Sequence, residues 1–179
     1  MAIRLSLISS APAAGVAPGT FPVDEPADLA RRMPDPGRFA RLLTAPERRA
    51  RQTADVLGPV SIAEPALADC DFGSWRGRSL VEISEADPAG AAAWLSDPAA
   101  APHGGEPIAA VIVRVGAWLD RFERPDHTVA ITHPSVIRAA IVHVLAAPPS
   151  AFWRVDIEPL SLTDLRFFAG RWTLRSVGR

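Results

Sequence analysis

Apolar and polar positions alternate over residues 3–9, Ile-Arg-Leu-Ser-Leu-Ile-Ser, and the alternation stops at Ser10. The run reads as a short β-strand followed by a break. Residues 10–37 are rich in Pro, Ala and Gly and read as loop, with one helical turn at 27–33. A second strand is predicted at 39–44. Pro46 then opens a helix that Gly58 closes, and Ala50, Ala54 and Leu57 share its sheet-packing face. Residues 59–78 are irregular, with Asp69, Asp71, Gly73 and Gly77 along them. Helical pieces follow at 79–85 and 88–95, and a loop at 97–105 ends in His103-Gly104-Gly105. A long helix starts at Glu106-Pro107 and runs to Phe122, with Ile108, Ile112, Val115 and Leu119 on one face. Residues 127–132 form a strand, and Pro134 starts a helix that ends before Pro148-Pro149. The remainder predicts strands at 154–158 and 160–168, a turn at Ala169-Gly170 and a last strand at 171–177.

Strands that alternate with helices predict an α/β fold, a mostly parallel sheet with helices on both faces, built as one domain over residues 1–179. In such sheets ligands bind beyond the carboxyl ends of the strands. Two strand ends therefore matter most: Ser9-Ser10-Ala11 after the first strand and Thr132-His133-Pro134 after the late one.

Composition narrows the function classes. The formal net charge is -1, so no basic surplus favours nucleic acid or an anionic membrane. All 19 cationic side chains are arginine, the better bidentate partner for phosphate. A single cysteine, Cys70, excludes an intrachain disulfide and a cysteine metal cluster, and it reads as a small packed side chain. No histidine pair has metal-site spacing, so no cofactor is expected. No apolar run reaches the roughly 18 residues of a membrane span. Arg4 followed by Leu5-Ser6-Leu7-Ile8 imitates a leader only weakly, and a cytoplasmic location is expected.

His133 stands where a strand gives way to a helix with proline in its first turn. Backbone N–H groups and the helix dipole favour an anion there, although a capping histidine would look the same. Arg49 lies in the first turn of the helix after the second strand. It could hold a phosphate through two parallel hydrogen bonds, or belong with Arg48 and Arg51 to a solvated face.

Taken in order, these segments form a more specific series. A strand ends in a polar turn. Arg49-Ala50-Arg51-Gln52-Thr53-Ala54 follows, then Leu67-Ala68-Asp69-Cys70-Asp71-Phe72-Gly73-Ser74-Trp75-Arg76-Gly77. Gly104-Gly105-Glu106 and the strand into His133 complete it. The series resembles the histidine phosphatase superfamily in its phosphoglycerate-mutase-like branch, from Ile3 to about Trp172. The resemblance implies a three-layer α/β/α sandwich. It implies a site in which an Arg-His-Gly turn supplies the nucleophile, two arginines and a second histidine hold the phosphoryl oxygens, and an acid protonates the leaving group.

Residue by residue, the resemblance makes Arg49 the second arginine, His133 the second histidine and Asp69 the proton donor. It places Glu106 at the substrate mouth, where Trp75 and His103 are further candidates. Ser9, Ser10 and Ala11 occupy the Arg-His-Gly positions, and Arg76 stands where a second glutamate is frequent. A serine hydroxyl is no nucleophile at pH 7 without a base, and His133 is the base the resemblance would put near Ser10. No Gly-x-Ser-x-Gly elbow is present.

Three readings follow. The first is a pseudoenzyme that binds a phosphorylated small molecule in a retained phosphate pocket. The second is an active phosphomonoesterase with a rearranged site, using Ser10 assisted by His133 or an activated water. The third takes Ser10 as an engineered substitution, which the accompanying Ser9 leaves incomplete. Outside this class stands a non-catalytic interaction module that recruits a partner through exposed apolar surface. The phosphorylated small molecule is the expected partner, nucleic acid and membrane are not, and a homodimer is left open.

Overall fold

The computed structural model describes residues 3–58, 60–123 and 125–178. Among these residues six strands form one sheet: β1 (Ile3–Ser9), β2 (Arg41–Thr44), β3 (Ile62–Ala63), β4 (His127–Thr132), β5 (Leu162–Phe168) and β6 (Arg171–Ser176), in the order β3-β2-β4-β1-β5-β6. The first four run parallel, and β5 and β6 are antiparallel additions. Among the described residues five α-helices accompany them: α1 (Arg48–Asp55), α2 (Leu80–Ala86), α3 (Pro88–Ser96), α4 (Ile108–Asp120) and α5 (Pro134–Val144).

The architecture is the three-layer α/β/α sandwich, and the strands show why. Consecutive residues Leu5, Ser6, Leu7 and Ile8 of β1 are all buried, as are Thr128 to Thr132 of β4. Successive side chains point to opposite faces, so a strand buried at every position is covered on both sides. None of the described helices is long and apolar enough to cross a membrane.

Three sequence expectations fail locally. The helical turn at 27–33 is absent; the segment is extended and irregular, and Ala27 bridges Ala13. Pro26 precedes it and Pro34 and Pro36 follow it, and Pro34 disfavours a helical conformation at Met33. The strand at 154–158 is replaced by a 3-10 segment, Pro149–Arg154, which buries Phe152. Residues 155–158 then run without a sheet partner. The two-residue strand β3 went unpredicted because its assignment rests on pairing with β2 rather than on any local run.

Two loops that carry the most specific sequence segment lie directly on each other. Ser74 N–H donates to His103 O (2.9 Å) and Glu106 N–H to Asp71 O (2.8 Å). A Cβ on Gly73 would meet His103 O at 2.1 Å, and one on Gly105 would meet Asp71 O at 2.0 Å. Glycine is required at both positions by backbone approach, and at Gly73 by a φ of +46° as well.

Candidate phosphate site

The site forms where β1 and β4 end side by side. Ser9 pairs with Thr132, and Ser10 N–H donates to Thr132 O at 2.7 Å, so Ser10 and His133 leave the sheet as neighbours. From β2, Ala45 N–H bonds Ile131 O (2.8 Å) before the chain turns into α1. Thr53 on α1 then clamps the turn after β1. Its hydroxyl accepts from Ala11 N–H (3.0 Å) and donates to Arg49 O (2.8 Å).

Arg49 sits between the two strand ends. Its Nε donates to Ser10 Oγ (3.2 Å), and one terminal nitrogen lies 3.2 Å from His133 Nδ1 and 4.0 Å from Asp69 Oδ2. Arginine only donates, so His133 Nδ1 accepts, and the imidazole proton sits on Nε2, facing Glu47 Oε2 at 3.0 Å. A second proton on Nδ1 would meet Asp69 Oδ2, 3.4 Å away. Asp69 Oδ1 in turn accepts from the hydroxyl of Ser135 and from Cys70 N–H.

Glu47 is the residue the sequence reading missed. Its backbone is extended, so the helix opens at Arg48 rather than at Pro46, and its side chain makes no cap bond. Its carboxylate instead bridges His133 and the backbone N–H of Asp69, the latter at 3.0 Å. Burial opposes its ionisation, but the hydrogen bond from His133 and the backbone donors outweigh that and hold the carboxyl below its ordinary value of 4.5. No local signal marked Glu47, since an acid before a helix ordinarily serves the helix dipole.

Three cavities, of about 250, 370 and 310 Å3, all have Arg49 in their walls. The first also holds Glu47, Asp69 and His133, the second Asp69 and Ser135, and the third Ser9, Ser10 and Ala11. The structure thus brings Ser10, Arg49, Asp69 and His133 together, with Ser9 just behind. Ser9 Oγ is buried without a hydrogen-bond partner among the described residues.

The three residues expected at the substrate mouth line none of these cavities. Trp75 and His103 are buried in an aromatic cluster, their rings 5.1 Å apart, with Phe21, Phe72 and Trp94 around them. His103 turns inward because its Nδ1 accepts from Gly105 N–H at 2.9 Å. Glu106 makes a two-point ion pair with Arg114, at 3.0 and 2.8 Å, and Arg114 also donates to Ala66 O and Ala68 O. Glu106 therefore braces the segment that carries Asp69. Burial, with the charges of Asp69 and Glu106 beside it, pushes the Cys70 thiol far up, so it is no nucleophile. Among the described residues, no group of three or more His, Cys, Asp or Glu is placed to hold a metal ion.

The model of the histidine phosphatase superfamily, branch 1, matches residues 25–179. The chain belongs to that superfamily. The match begins past β1 and the Ser9-Ser10-Ala11 turn. A bifunctional protein of Mycobacterium tuberculosis is 29% identical over 148 residues, covering 79% of this chain and 40% of that protein. The adenosylcobalamin/alpha-ribazole phosphatase of Salmonella typhimurium is 30% identical over 128 residues, covering 67% of this chain and 63% of the phosphatase. The chain thus spans well under two thirds of the length of the first of these curated relatives. Among solved structures, the phosphoserine phosphatase of Entamoeba histolytica in complex with 3-phosphoglyceric acid superposes with a TM-score of 0.84. It is 18% identical, with 99% of this chain and 97% of the other covered, a likeness of fold.

The superfamily fold here should be acid-labile in two windows. Burial holds His103 and His127 below their ordinary 6.5. A depressed value means that the unfolded chain takes up the proton first, so stability falls as pH drops below 6.5 toward the folded values. Glu47 is also depressed, so its contribution is present above 4.5 and is lost as pH falls through its folded value. Calorimetric scans between pH 8 and 3 should show the midpoint falling in both windows. His103→Gln should flatten the upper one, and an unchanged upper slope would contradict the assignment to His103.

Proposed function

We propose that this protein is a histidine-phosphatase-fold binder of a phosphorylated small molecule, in which the nucleophilic step of the family is lost. The observation that carries this reading is the environment of Arg49. The guanidinium forms part of three cavities, with His133 and Asp69 around it, while the neighbouring strand-end residue is a serine. Such a guanidinium offers a phosphoryl group two parallel donors. The backbone at the start of α5, next to His133, adds the field of a helix N-terminus.

The same geometry weighs against a Ser10–His133 couple. Ser10 Oγ accepts from Arg49, and His133 Nδ1, the free lone pair of that tautomer, is directed to Arg49 rather than to Ser10. A hydroxyl held by a cationic donor, with no base bonded to it, is a poor nucleophile. The curated relatives include phosphatases named for alpha-ribazole and for glucosyl-3-phosphoglycerate, which supports a small phosphomonoester as the ligand here.

The test is titration calorimetry with inorganic phosphate and vanadate, together with an aryl phosphate turnover assay on the unaltered chain. Binding with negligible turnover is expected. Rapid turnover would overturn the loss of the nucleophilic step. Absence of binding by either anion would overturn the retained pocket and favour an interaction module.

A further inference from the structure

The largest of the three cavities at Arg49, about 370 Å3, differs in character from the other two. Its walls are mainly apolar, with Phe21, Phe72, Leu80, Trp94, Ile108 and Phe152 among them. Most of its few polar wall residues, Arg49, Asp69 and Ser135, belong to the phosphate side. Arg138 lies over the Phe152 ring at 5.7 Å, so even this charge presents itself to the chamber beside an aromatic face.

We infer that the phosphorylated ligand carries a bulky apolar or aromatic group on its ester oxygen, and that this group occupies the chamber. The inference rests on the proposed phosphate-binding role of Arg49. A phosphoryl group on Arg49 stands at the wall that the chamber shares with the smaller cavity of Glu47 and His133. The substituent attached to it has the chamber as adjoining space. A polyol or sugar substituent would set hydroxyls against Phe21, Phe72, Leu80 and Trp94, which offer them little; each hydroxyl without a partner weakens binding. An apolar ring loses no hydrogen bond there and leaves water.

The wall is formed in advance. Phe21 packs on Phe72 with centroids 4.8 Å apart and edge-on to Trp94 at 5.6 Å. The loop bearing Phe21 is pinned to the start of α2 and the residues before it, where Leu80 N–H donates to Gly19 O at 3.0 Å and Phe21 N–H to Arg78 O at 2.9 Å. The chamber therefore needs little reordering to receive a rigid group, which favours affinity. Trp94 is thus a wall of the site as well as a packing residue.

Non-hydrolysable phosphonates test this on the full chain without depending on turnover. Methylphosphonate, benzylphosphonate and naphthylmethylphosphonate are titrated beside inorganic phosphate. Affinity should rise in that order, by roughly 30-fold or more from methyl to naphthylmethyl, since each buried methylene contributes about fourfold. Leu80→Gln, at the partly exposed start of α2, should shrink the ratio of naphthylmethyl to methyl affinity. Equal affinities for the three phosphonates, with phosphate still binding, would overturn the chamber assignment and leave the phosphate site standing. Failure of all four anions to bind would overturn both.

Discussion

Replacing Ser9 by Arg and Ser10 by His together raises hydrolysis of an aryl phosphate at least about a thousandfold over the unaltered chain. The magnitude follows from the two functions returned. An imidazole supplies a nucleophile at neutral pH, where a serine hydroxyl bonded to a guanidinium does not. A second guanidinium neutralises charge on the phosphoryl oxygens, and loss of one such donor typically costs on the order of 100- to 1000-fold. The cavity of about 310 Å3 lined by Ser9, Ser10 and Ala11 borders the turn that the two substitutions would rebuild. Ser10→His alone should recover part of the rate, and Ser9→Arg alone little. Steady-state assays of the three variants beside the unaltered chain check this. Equal rates in all four would mean that the missing turn is not what limits the chemistry.

Arg49→Ala removes detectable binding of phosphate and of any phosphonate, a loss of about 100-fold or more in affinity. Arg49 is the guanidinium that touches both strand-end residues and lies within 4.0 Å of Asp69. Without it, a phosphate dianion would enter a cavity that holds the carboxylates of Glu47 and Asp69. Charge-assisted bidentate hydrogen bonds account for the gain, and like-charge repulsion for the penalty once they are gone. Arg49→Lys separates the two. It keeps the charge and loses the two-point geometry, so it should restore only a minor part of the affinity. Calorimetry on both variants, with melting curves to establish that they fold, gives the answer. Unchanged affinity in Arg49→Ala would move the phosphate site elsewhere.

How much of this could be read in the chain depends on the range of the forces involved. The strand His127–Thr132 and the helix from Pro134 follow from residue type and proline position alone, so the placement of His133 at their junction was legible. The neighbourhood of Ser10 and His133 was also accessible, because strand ends gather on one edge of a mostly parallel sheet. Glu47 was hidden. Its role depends on β2 lying beside β4, which brings the start of α1 against His133 across 86 positions of sequence. Trp75, His103 and Glu106 lie away from the cavities at Arg49 for the converse reason. Each lies near glycines in a loop that looks open in sequence, but the close approach of Gly73 and Gly105 folds the two loops together. That packing carries the rings into an aromatic cluster and turns Glu106 toward Arg114. The 154–158 strand failed because a short run carries a weak local preference that neighbouring structure overrides.

A single guanidinium shared by three cavities sets a rule for whatever the site accepts. Arg49 carries one positive charge, so two anionic inhibitors that both depend on it should weaken each other even when their bodies fill different cavities. One seated in the aromatic chamber and one seated beside Ser10 would compete for that charge although they need not overlap. A neutral aromatic molecule has no claim on Arg49 and could share the site with a small anion. Linking those two fragments past Arg49 is then the direct route to a tight ligand, because both cavities have that residue in their walls.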